Sequence, residues 1–129
     1  MSLYKSTFPA VLLIESDPQL SEFFSRMISN CGYEVLTISH EEEFENLNKD
    51  EIEIIHACII NEITDHTKFF ETYEKSFRLH NIKKAPIILI TAGDEDLDPI
   101  IVSKTFHISR KMNFNFSELT DKIHDAILV

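Results

Sequence analysis

Glycine is almost missing from this chain, with only Gly32 and Gly93 in 129 residues. Neither follows the first apolar run, where Glu15-Ser16-Asp17-Pro18 stands instead. A phosphate-cradling loop needs glycine so that backbone amides can approach the anion, and two acids there oppose it. The Gly-x-Ser-x-Gly frame of a hydrolase nucleophile is missing too, which disfavours Ser16 in that role. A nucleotide-binding protein or small hydrolase is therefore the remotest of the readings kept open.

Cysteine is as scarce. Cys31 and Cys58 form no Cys-x-x-Cys pair, so both are expected to be reduced, largely buried thiols. The six histidines include no His-x-x-x-His or Cys/His cluster with ligand spacing, which points to surface or half-buried rings rather than a metal centre. Basic charge is outweighed: 12 Lys and Arg against 22 Asp and Glu leave a formal charge of −10. Such a surface repels nucleic-acid phosphates and anionic lipid, so no direct nucleic-acid or membrane contact is expected. The apolar runs, such as Ala57 to Ile60 and Pro86 to Ile90, are far too short to span a bilayer. No basic start leads into an apolar stretch, and the expected location is the cytoplasm.

What is present is ordinary for a globular domain: 43% hydrophobic, 26% charged and 10% aromatic residues, enough to bury a core without staples. One domain is expected over 9–129, with 1–8 as an extension that reads as a frayed end or an expression remnant. Apolar, β-rich runs recur at Ala10 to Ile14, Val35 to Ile38, Ile54 to Ile60, Ile87 to Thr91 and Phe106 to Ile108. Helical patterns separate them, the signature of an α/β fold with a doubly wound, five-stranded parallel sheet.

The first helix carries Leu20, Phe23, Phe24, Met27, Ile28 and Cys31 on one stripe, with Asp17 as cap, Pro18 in its first turn and Gly32 at its end. The second is expected to start at Ser39, with Glu42 completing a capping box. The third, about 65–80, bears Phe69, Phe70, Tyr73 and Phe77, a stripe read as core packing. The fourth opens with Glu95, Asp96 and Asp98 and has few apolar anchors, among them Leu97, Ile100 and Ile101. The last has Asn115 as cap with Glu118 three residues on, and is expected to bury Leu119, Ile123 and Ile127.

In such sheets ligands bind beyond the carboxyl ends of the strands, so the strand ends carry the functional argument. They bring together Glu15, Ser16 and Asp17, then Asn61 and Glu62, then Thr91, then Arg110 and Lys111. At these residues the chain resembles the receiver domains of two-component response regulators, from about Ala10 to Leu128. The resemblance is carried by Val11-Leu12-Leu13-Ile14-Glu15-Ser16-Asp17-Pro18, by Gly32-Tyr33-Glu34-Val35, by Pro86-Ile87-Ile88-Leu89-Ile90-Thr91-Ala92 and by Lys111 ahead of the last helix. It implies a flavodoxin-like sheet of order 2-1-3-4-5.

The resemblance also implies a phosphorylation site, and this chain departs from it. Family members hold a divalent cation with two acids after the first strand and attack phosphorus with an aspartate after the third. Here Glu15 matches the first acid, but the neutral Ser16 stands at the second, and Asn61 stands at the nucleophile. A carboxamide has no anionic oxygen with which to form the acyl phosphate. Thr91 matches the switch hydroxyl and Lys111 the phosphate-contacting cation, with Arg110 as an alternative to it. Glu15 and Asp17 would be the metal ligands if any cation bound, though Asp17 also suits a helix cap. No cofactor is expected, and Mg²⁺ at most weakly.

The expected function is thus an atypical receiver, not an enzyme, that signals by protein contact. Its partners would be a histidine kinase or an output domain, or a second copy through the fourth helix, fifth strand and fifth helix. The alternative is a phosphorylatable receiver using Glu62 or another carboxylate with Mg²⁺, which requires a one-residue slip that turns the strand's apolar faces around.

Overall fold

Each of the five apolar runs becomes a strand, and hydrogen bonding joins them in one sheet. In the computed structural model of the chain, residues 9–61, 66–91, 99–110 and 115–128 are described. The strands are β1 (Ala10–Ile14), β2 (Glu34–Ile38), β3 (Ile55–Asn61), β4 (Ile87–Thr91) and β5 (His107–Arg110). All four neighbouring pairs are parallel and the order is β2-β1-β3-β4-β5, as expected. Parallel neighbours need crossovers, and these are made by α1 (Pro18–Asn30), α2 (Lys49–Ile54), α3 (His66–Leu79) and α4 (Pro99–Lys104), while α5 (Phe116–Leu128) closes the chain.

Both sheet faces are covered, which is why β1 is apolar at every position, and β4 at every position before Thr91, rather than at alternate ones. On one face Leu12, Ile14, Cys58, Ile60 and Leu89 pack with Phe44, Ile52, Phe69, Phe70, Tyr73 and Phe77. The aromatic stripe of α3 is core, as its spacing indicates. Tyr73 lies 4.9 Å from both Phe44 and Phe77 by ring centroid, and its hydroxyl donates to the Ala85 carbonyl at 3.1 Å. Burial pushes the Tyr73 hydroxyl and the Cys58 thiol well up from their ordinary pKa values. On the other face Val11, Leu13, Ala57, Ile59, Ile88 and Ile90 meet Phe24 and Ile28 of α1 and Leu119, Ile123 and Ala126 of α5.

The helix ends follow from their caps. Asp17 accepts from the Gln19 and Leu20 amides at 2.8 and 3.3 Å, with Pro18 in the first turn. Gly32 takes φ +94°, the left-handed value that lets the chain leave α1 and enter β2. Asn115 accepts from the Glu118 amide at 3.2 Å to start α5, where Leu119 and Ile123 are buried and Ile127 is partly so.

Four expectations need correction. No α-helix starts at Ser39; a 3-10 helix occupies Glu41–Asn46, and the capping box belongs to Asn48 and Glu51, which open α2. Phe44 explains the interruption, because a short 3-10 turn lets its ring reach the core between α3 and the sheet. Cys31 is exposed rather than buried, since the stripe of α1 runs off the sheet at both ends: Leu20 and Phe23 are exposed as well, with Phe23 stacked on Phe116 at 5.1 Å. The last strand is His107–Arg110, not Phe106 to Ile108, because Phe106 only donates its amide to the Ile87 carbonyl before the ladder begins. The third strand runs one residue later than expected, ending on Asn61 itself.

Candidate functional site

The chain passes from β1 to β2 on one side and then crosses back to β3 on the other. The reversal point of the sheet therefore lies between the carboxyl ends of β1 and β3. Ile14 pairs with Ile60, so the next residues on the two strands, Glu15 and Asn61, face each other across that point. Strand alternation puts both on the α1/α5 face, continuing the rows Val11-Leu13 and Ala57-Ile59.

These two are the buried polar residues among the described ones, 5% and 4% exposed. A buried carboxylate must find donors, and Glu15 has two. The Asn61 side-chain amide donates to Glu15 Oε1, and the Asp17 backbone amide donates to Glu15 Oε2 at 3.3 Å. Glu15 is pinned on the backbone side too, its own amide donating to the Ile38 carbonyl at 3.1 Å. The carboxamide is used one-sidedly: Asn61 Oδ1 is buried and has no hydrogen-bond partner among the described residues.

Around this pair the other expected residues are placed unequally. Ser16 is exposed at the end of β1. Asp17 turns its carboxylate to the first turn of α1 instead of toward Asn61. Thr91 ends β4, half-buried, opposite Arg110 of β5, and Asn61 stands opposite Ile90. Arg110 is a β5 residue with interactions of its own. Glu62 and Lys111 lie outside the described residues, as do Glu95, Asp96, Leu97 and Asp98 of the expected fourth helix.

The family resemblance implies a divalent cation beyond the ends of β1 and β3, and the described donors do not suit one. Mg²⁺ requires about six oxygens in near-octahedral array. Both oxygens of Glu15 already accept from N–H groups, an Asp17 oxygen accepts from two backbone amides, and the Ser16 hydroxyl is neutral. Among the described residues no three His, Cys, Asp or Glu side chains cluster as metal ligands. What the arrangement does chemically is satisfy the buried Glu15 carboxylate with two N–H donors, one from the Asn61 side chain and one from the Asp17 backbone.

Two features of the site and its surroundings escaped the sequence. One is the orientation of the Asn61 amide toward Glu15, for which spacing offers no signal because it depends on the β1–β3 register. The other lies away from the strand ends, where Glu74 of α3 accepts from Lys104 at 2.8 Å and from Lys84 at 3.3 Å. Hydrogen bonding from Lys104 is the main cause that holds the Glu74 carboxyl below its usual pKa.

No family model and no curated protein sequence matches the chain. Solved structures do match it. A response-regulator receiver domain from Clostridium thermocellum superposes with a TM-score of 0.72 at 19% identity, over 94% of this chain and 95% of that one. A pilus assembly-related protein from Burkholderia pseudomallei gives 0.72 at 17% identity, over 98% and 94%. The receiver domain of a sensor histidine kinase from Pseudomonas aeruginosa, which has a magnesium ion coordinated in its active-site cleft, gives 0.70 at 16% identity, over 95% and 100%. The chain thus has the fold of response-regulator receiver domains.

Proposed function

We propose that this chain is one receiver-type signalling domain over 9–129 that works by protein contact, without phosphoryl transfer and without being an enzyme. The observation that carries the reading is Asn61: it ends β3, is buried, and gives its amide to Glu15. A carboxamide there has no anionic oxygen to attack phosphorus, and both oxygens of the neighbouring carboxylate already accept hydrogen bonds.

The contact surface on this reading is formed by α4, β5 and α5, where Ile100, Val102 and Phe106 leave large apolar side chains exposed. Its occupant is a histidine kinase, an output domain or a second copy of the chain. With a formal charge of −10, nucleic acid is not the partner. No helix among the described residues is long and apolar enough to cross a membrane, in keeping with a cytoplasmic role.

The test is incubation with acetyl phosphate and Mg²⁺ followed by intact mass spectrometry. The protein is expected to stay unmodified. A stoichiometric, hydrolytically labile adduct would overturn the reading and favour a phosphorylatable receiver that uses Glu62 or Asp17.

A further inference from the structure

Among the described residues α4 is thinly anchored to the core. Six of its residues are described, Pro99–Lys104, and of these only Ile101 is buried. Ile100 is 58% and Val102 48% exposed, so the usual apolar stripe is missing. What replaces it is polar: Lys104, the last residue of α4, reaches across to Glu74 of α3 at 2.8 Å. The same carboxylate oxygen is contacted at 3.3 Å by Lys84, which sits in the segment ahead of β4 and does not belong to α4. All three side chains are only about one-third exposed, with relative exposures of 31% for Lys104, 30% for Glu74 and 38% for Lys84.

We infer that Glu74 is a catch that holds α4 in its docked position, and that Lys84 is the standby partner that lets the catch open at little cost. Two cations on one oxygen repel each other while α4 is docked. When α4 moves off, Lys104 is released to water and Glu74 keeps Lys84, so no half-buried carboxylate is stranded. Lys84 thereby favours the open position relative to the docked one, although in the docked position it touches the same atom. The device regulates the α4–β5–α5 contact surface and, in that respect, rests on the reading given under the proposed function. A partner that offers its own cation to Glu74, or takes Lys104, would shift α4 without any chemistry at Asn61.

Amide hydrogen exchange of the full chain, read over 99–104, tests the catch by sign as well as size. Glu74→Gln and Lys104→Met should each speed exchange there by about 1.5- to fivefold, the range expected for losing one partly screened ion pair. Exchange in β1 and β3 should not change. Lys84→Met should leave exchange over 99–104 slower than in the parent, because it removes the partner that stabilises the open position. If Glu74→Gln leaves 99–104 unchanged, or if Lys84→Met speeds exchange as Lys104→Met does, the catch is refuted. Either result would leave the absence of phosphorylation at Asn61 untouched, since that is read by mass and not by exchange.

Discussion

The two halves of the sheet are built differently. Around β1 and β3 every described strand position except His56 is buried, and the polar pair at their ends is closed on itself. Around β5 every strand position is only half-buried, and α4 adds one buried residue. Here the reversal point holds a buried hydrogen-bonded pair, while the outer edge is only half-buried. The contrast teaches that the polar pair at the central strand ends and the looser packing of the outer edge rest on separate contacts.

The largest effect that would sharpen this contrast is in the aromatic core. Phe44→Ala should destabilise the fold by about 3–5 kcal/mol, as large cavities do. Ile100→Ala, at the outer edge, should stay within about 0.5 kcal/mol. Denaturant midpoints at constant slope measure both, and equal losses would break the comparison.

A smaller effect is expected at the closed pair. Asn61→Leu removes the donor to Glu15 Oε1 and leaves a buried acceptor unpaired, at a cost of about 1–3 kcal/mol. With Glu15→Leu alongside it the two losses should fall short of their sum, since each change removes the same contact. Strict additivity in that cycle would mean the amide and the carboxylate do not depend on each other.

Much of the architecture was legible because it rests on periodicities that survive in a single sequence. Continuous apolar runs marked the buried parallel strands, Asp17 and Asn115 marked helix starts, and the phenylalanine spacing of α3 marked the core. The second helix was misplaced although Asn48 and Glu51 carry the same capping pattern as Ser39 and Glu42. Local capping signals could not rank the two; the burial of Phe44 did. At the strand ends, order in the chain was enough to bring Glu15 and Asn61 to one edge. Their hydrogen bond was not legible, because contact between strands separated by 46 residues depends on register. The Glu74 catch was hidden for the same reason, being assembled from three elements.

The central claim is that Asn61 and Ser16 are what keep this receiver fold from phosphoryl chemistry. Its most direct test compares the parent with Asn61→Asp combined with Ser16→Asp, each treated with acetyl phosphate and Mg²⁺ and weighed intact. Restoring both carboxylates supplies a nucleophile and the charge that a hard cation requires. The account predicts a labile phosphate on the double variant, markedly less on either single variant, and none on the parent. Phosphate on the parent, or a folded double variant that takes none, would contradict it.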